Sequence, residues 1–129
     1  MSWTFEQSTG KLYAPDGELM ATGYAGGNCG ENPEGINNPS LQNIRSVGPL
    51  PQGLYTHVEA VEGSKLGPFA IPLIPEPDNE MFGRGGFYMH GDNFKGNRSA
   101  SEGCIIMPRA IRLSFYNSDD GQIKVVDHV

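Results

Sequence analysis

Trp3-Thr4-Phe5-Glu6, Ser8-Thr9-Gly10, Lys11-Leu12-Tyr13-Ala14, Pro15-Asp16-Gly17 and Glu18–Tyr24 follow one another as run, turn, run, turn, run. Each run is short and ends on residues that supply turn backbone, which reads as a β-meander. The rest of the chain keeps that punctuation. Its 129 residues include 18 Gly and 10 Pro, too many breaks for a helical bundle. The expected fold is mainly β, a sandwich or barrel built as one domain over residues 1–129, with a core of moderate size.

Working outward, Gly26 to about Ser40 is rich in Gly, Asn and Pro and lacks hydrophobic periodicity. A loop of that length inside a small domain is usually functional or mobile. Gly48-Pro49-Leu50-Pro51-Gln52-Gly53 is a dense turn signal, and Leu54–Val61 alternates as a strand. Phe69–Ile74 is apolar but holds Pro72, which predicts an edge strand or irregular chain. Gly86–His90 reads as a short buried strand, Gly91–Ala100 as a polar loop and Cys104–Met107 as apolar again. Pro108 suits the first turn of a helix reaching about Tyr116, with Ile111 and Phe115 on one face. Gln122–Asp127 is expected to be the closing strand.

The net charge of −6 argues against a nucleic-acid binder, which needs a basic face. The charge is uneven. From residue 84 to 112, Arg84, Lys95, Arg98, Arg109 and Arg112 stand against Asp92 and Glu102, a window of +3 that leaves −9 elsewhere. Such a window is chance clustering or a positive mouth for an anionic ligand. No run of 18 apolar residues occurs, so no membrane span is expected. The N-terminal residues lack the basic and apolar regions of a secretory signal, so the expectation is a soluble chain made in the cytosol. Cys29 and Cys104 are too few for a disulfide framework, and no His, Cys or Asp group has metal-ligand spacing.

Chemistry concentrates in Phe87-Tyr88-Met89-His90-Gly91-Asp92 and Ser101-Glu102-Gly103-Cys104-Ile105-Ile106. Singly, a Cys between Gly and Ile reads as a small buried hydrophobe, and a His at a strand end as structural. Together they read differently. A thiol attacks carbonyls as thiolate and needs a base nearby. Here His90 closes one short strand and Cys104 opens the next, fourteen residues later. If the strands are neighbours, both side chains face one cleft at the same end. Gly103 then allows close backbone approach to a carbonyl, and the amides around Cys104 become oxyanion donors.

His-Gly-Asp, a loop, then Ser-x-Gly-Cys-Ile resembles the catalytic signature of the L,D-transpeptidase domain. Asn37-Asn38-Pro39, Gly48-Pro49-Leu50-Pro51-x-Gly53-x-Tyr55 and Gly83-Arg84-x-Gly86-Phe87 look like landmarks of one branch, the L,D-transpeptidase-like effectors of type VI secretion. The resemblance spans roughly residues 20 to 110. It implies Cys104 as acylated nucleophile, His90 as general base, Ser101 as orienter of the imidazole, and backbone amides of Gly103 and Cys104 as donors. Asp92 becomes a partner behind the site, and Arg84 or Arg109 the anchor for a substrate carboxylate. Ile106 stands where many relatives of the class carry Arg or Asn, which leaves the choice of anchor open. The implied substrate is the peptidoglycan stem tetrapeptide, trimmed or exchanged through a thioacyl-enzyme without a cofactor. The implied setting is the periplasm of a target bacterium, reached by the type VI machinery, with an immunity protein in the producer.

Two rival readings remain. A papain-like cell-wall amidase places Cys before His, which Cys29 with His57 or His90 satisfies in order only, since nothing around Cys29 reads as a helix start. A non-enzymatic β-rich binding module needs no chemistry at Cys104. His57 and His128 have no partner nameable from sequence, and Cys29 is incidental unless it pairs with Cys104 and silences it.

Overall fold

In the structure, a computed structural model that describes residues 2–62, 67–118 and 121–129, the opening meander forms as expected. Strands β1 (Trp3–Glu6), β2 (Lys11–Tyr13) and β3 (Leu19–Thr22) pair antiparallel in sequence order. The run to Tyr24 is not one strand, however. Gly23 divides it, and β4 (Tyr24–Ala25) pairs with a strand at the far end of the same sheet. A side chain at Gly23 would collide with the carbonyl of Ile106, so only glycine lets the chain cross there.

Five further strands complete the sheet: β5 (Gly53–His57), β6 (Ile71–Pro75), β7 (Phe87–His90), β8 (Ile105–Ile106) and β9 (Gln122–Val126). Their order is β3-β2-β1-β9-β5-β6-β7-β8-β4. The two end strands, β3 and β4, are consecutive in the chain and joined through Gly23, so the nine strands curl into a nearly closed, barrel-like sheet. This is the mainly β fold expected from the turn-rich sequence. β9 does not close the barrel at an edge. It inserts between β1, to which it runs parallel, and β5.

β6 corrects the reading of Pro72. The strand is interior, between β5 and β7. The Val58 amide donates to the Pro72 carbonyl (3.3 Å), so the proline nitrogen also faces the β5 side, just where β5 has ended at His57. Proline forgoes only the return bond to Val58, at the end of the β5–β6 ladder, where the sheet tolerates the ring.

Alternation sets the core. Trp3 and Phe5, Ile71 and Leu73, Phe87 and Met89, and Ile123 and Val125 all point inward and are buried. Pro108 stops β8, and its carbonyl accepts the first bonds of helix α1 (Arg109–Tyr116), from Ile111 (3.1 Å) and Arg112 (3.0 Å). The helix fastens to the sheet through Phe115, whose ring meets Trp3 edge-on at 5.6 Å. Truncating a buried phenylalanine of this kind to alanine costs about 3–5 kcal/mol. Among the described residues, no helix is long and apolar enough to cross a membrane.

The Gly-rich segment after β4 is not loose chain. It makes three short 3-10 turns, Asn28–Gly30, Pro33–Gly35 and Pro39–Leu41, and is laced to the following loop. Gly27 and Asn28 donate to Val47 (2.7 Å) and Ser46 (2.8 Å) carbonyls. Asn37 accepts from the Ala25 amide (3.0 Å), and the Tyr55 hydroxyl donates to the Pro51 carbonyl (2.7 Å). Buried Gln7 grips the Leu50 carbonyl (2.9 Å) and the Gln42 side chain (3.2 Å). The Asn-Asn-Pro and Gly-Pro-x-Pro landmarks are therefore the stitching of one wall.

Candidate active site

β7 and β8 lie side by side and parallel, with Met89 opposite Ile105 and His90 opposite Ile106. Inward Met89 and Ile105 are core, so His90 and the residue before β8, Cys104, share the other face. The strands are neighbours, but the residues are not level. Continuing the register sets Cys104 beside Tyr88, two residues or about 6.5 Å short of His90 along the strand. Both line one cavity of about 490 Å³ that also exposes Arg45, Gly85, Gly86 and Glu102. Among the described residues, the two side chains share no hydrogen bond.

Electrostatics fix the resting state. Cys104 is half-buried, and burial pushes its thiol up to about 11. The Tyr88 amide, donating to Sγ at 3.4 Å, and the Arg84 charge oppose that rise, while the Glu102 charge adds to it. Burial also holds His90 below the ordinary imidazole value, against its bond to Gly91, with the Arg112 charge helping and the Asp92 charge opposing. At neutral pH the pair is therefore thiol and neutral imidazole. His90 Nδ1 lies 2.9 Å from the Gly91 carbonyl, which only accepts, so Nδ1 carries the proton and Nε2 is left to take one.

The Ser101-x-Gly-Cys block works through backbone. Ser101 is fully buried, and its hydroxyl does not reach the imidazole as expected. It donates to the Cys104 carbonyl (2.7 Å) and accepts from the Gly26 (2.9 Å) and Gly103 (3.0 Å) amides. The carbonyl of Ser101 accepts from the Cys29 amide (3.0 Å), and among the described residues no hydrogen bond joins it to His90. Ser101 thus clamps the turn that presents Cys104. The same bond uses up the Gly103 amide, which is no oxyanion donor. Glycine is needed at 103 for other reasons. Its φ is +133°, and an added Cβ would lie 2.6 Å from Arg84 Nη2 and 2.8 Å from Phe87 Cε1.

The positive window disperses on folding. Arg84 is buried, and its fork is spent on four carbonyls: Gln42 (2.6 Å) and Pro49 (2.8 Å) through Nη1, Gly48 (3.0 Å) and Glu102 (3.2 Å) through Nη2. It braces the cavity wall instead of offering a free anchor. Arg112 is buried under Gly91 and bonded to the Met107, Pro68 and Phe69 carbonyls. Arg98 lies over the Tyr24 ring at 5.6 Å. Arg109, over Phe69 at 5.7 Å, is not part of the cavity lining. Asp92 accepts from the Tyr24 hydroxyl (2.6 Å) and pins the loop after His90, also outside the lining.

Among the cavity residues that sequence reasoning passed over are Arg45 and Cys29. Arg45 lies outside the charge window and in no motif, and Cys29 sits in the Gly-Asn-Cys-Gly segment judged incidental. The fold brings both to the lining with Cys104. Cys29 occupies a 3-10 turn at φ 54° and not the start of an α-helix, so the arrangement of a papain-like amidase is absent there. Both cysteines are free thiols. Among the described residues, no group of three His, Cys, Asp or Glu side chains is placed to hold a metal ion.

Residues 23–127 match the family described as the Tlde1 domain. No curated protein and no solved structure matches the chain. The matched span contains His90, Cys104 and the whole cavity lining.

Proposed function

The chain belongs to the Tlde1 domain family, a family of type VI secretion effectors, and from that premise we propose that it is a cysteine enzyme that cuts peptidoglycan stem peptides. One observation carries the reading: Cys104 and a correctly tautomeric His90 line the same cavity on neighbouring strands. His90 Nε2 takes the thiol proton, directly or through one water, as Sγ attacks the carbonyl carbon of the third stem residue. The C–N bond to the terminal D-alanine breaks, and the amine leaves with the proton from His90. Water, activated by the same imidazole, then hydrolyses the thioester and yields a tripeptide stem. A D-amino acid amine in place of water gives exchange, and a second stem's amine gives a crosslink.

Because Cys104 is protonated at rest, His90 acts as a general base and does not merely pair with a standing thiolate. The Ser101 clamp and the Arg84 brace hold the nucleophile's turn while charge develops. The site of action would be the periplasm of a target cell, where stems are found, and a cognate immunity protein would protect the producer. Incubating purified protein with peptidoglycan stems and weighing the products tests the reading. Tetrapeptides should lose one D-alanine with the native chain and stay intact with Cys104→Ala. Unchanged stems with the native chain overturn it.

A further inference from the structure

Arg45 and Glu102 both face the cavity, and neither is spent on the other. Glu102 occupies the turn just before Cys104, and its two oxygens are held by neutral donors, the Ser46 hydroxyl (3.3 Å) and the Cys29 thiol (3.5 Å). Arg45 is exposed on the adjoining loop. Among the described residues, no ion pair joins it to Glu102. The loop itself is fixed. Asn28 and Gly27 bond the Ser46 and Val47 carbonyls, and Arg84 holds Gln42 and Gly48 at its two ends. Ser46 follows Arg45 in sequence and touches Glu102, so the base of the cation and the anion are tied by one hydrogen bond.

Opposite, uncompensated charges on a rigid rim match a ligand carrying both charges itself. We infer that Arg45, Glu102 and Ser46 form a subsite for an amino-acid head, with the guanidinium forking onto its carboxylate and the Glu102 carboxylate, beside the Ser46 hydroxyl, taking its ammonium. Under the function proposed above, on which this subsite's role rests, the head has two possible sources. One is the zwitterionic end of a diaminodicarboxylate at the third stem position, and the other is the free D-amino acid of an exchange reaction. An ammonium seated on Glu102 also offsets a charge that keeps the Cys104 thiol protonated, so filling the subsite favours thiolate formation.

The test begins with binding, which needs no turnover. Full-length Cys104→Ala protein is titrated by calorimetry or NMR with diaminopimelate and D-alanine, and with their N-acetyl and carboxamide derivatives. The free heads should bind at least ~10-fold tighter than either blocked form, since each block removes one charge-assisted contact. Adding Arg45→Ala should erase the preference for acid over amide, and Glu102→Gln the preference for amine over acetamide. Glutamine keeps an acceptor for Ser46, and melting curves confirm that both variants fold. Equal binding of free and blocked heads, or unchanged binding in both variants, overturns the subsite. The source follows from kinetics in the Cys104 background. A raised KM for stems in Arg45→Ala assigns the donor side chain, and a raised KM for D-alanine alone assigns the acceptor. If binding behaves as expected while the native chain turns over no stem, the subsite stands and the peptidoglycan reading falls.

Discussion

The Tyr88 amide donates to Cys104 Sγ at 3.4 Å across the β7–β8 seam, the bond that most directly supports a thiolate in an otherwise burying site. It does not win. Burial keeps the sulfur protonated to about pH 11, so the thiol is not hyper-reactive at rest. Iodoacetamide should therefore alkylate Cys104 slowly at pH 7, with the rate rising about tenfold per pH unit towards 11. Slow labelling is then no mark of a merely structural cysteine. Rapid labelling at pH 7 would show that a charged pair forms without substrate.

The pH profile of turnover follows with a definite sign. His90 must be neutral to accept a proton, and burial lowers its proton affinity. Lower affinity moves the acid limb of kcat/KM downward, below about 6.5, the unperturbed imidazole value. The acid limb should lie on the acid side of an ordinary histidine base, with no rise near pH 8–9 from an ordinary thiol. His90→Ala should lose at least ~100-fold and flatten the acid limb. An acid limb above 6.5 would contradict a buried, neutral base.

Covalent trapping assigns the nucleophile between two cysteines that share one cavity. Cys104→Ala should abolish turnover, and peptide mapping of quenched native enzyme should find the stem's acyl mass on the fragment holding Cys104. Cys29, on an exposed 3-10 turn with its thiol donating to Glu102, should carry none. Acyl mass on Cys29 would exchange the roles of the two thiols.

Arg84 separates bracing from substrate binding. Removing its fork orphans four carbonyls, two of them, from Pro49 and Gly48, in fully buried bonds. Each buried orphan costs about 1–3 kcal/mol. Arg84→Ala should lower the denaturation midpoint strongly, and Gly103→Ala should do likewise, since its Cβ enters the guanidinium. Arg45→Ala, on an exposed side chain, should leave the midpoint within about 0.5 kcal/mol of native. Equal stability of Arg84→Ala and native protein would free Arg84 for the role of anchor.

The meander, the mainly β class, the helix after Pro108 and the neighbouring His90 and Cys104 strands were legible because each follows from local pattern. What was missed is tertiary. That Gly23 splits a strand depends on Ile106, eighty-three residues away, and that Pro72 is harmless depends on where β5 ends. Arg84 and Ser101 stand in motifs that mark them as important without saying for what. Their partners are carbonyls and amides, which every residue carries and no sequence pattern displays. Arg45 could be found only once the loop bearing it was folded against Cys29 and Glu102.

The compartment of the substrate gives the broadest test of the effector. Stem peptides in finished wall occur outside the inner membrane, so the same chain should be harmless or toxic according to where it is delivered. Expressed in the bacterial cytosol, it should slow growth little. Fused to a periplasmic signal peptide, it should cause swelling, division defects or lysis, because trimmed stems no longer feed normal crosslinking. The exported Cys104→Ala protein should be harmless at equal level, since binding alone removes no D-alanine. Growth curves of the three strains, with periplasmic protein measured by immunoblot, decide the matter. Toxicity of the cytosolic form, or of the exported mutant, would place the target elsewhere and make the cavity a binding site. Toxicity confined to the exported native chain ties the damage to the Cys104 thiol and to the wall.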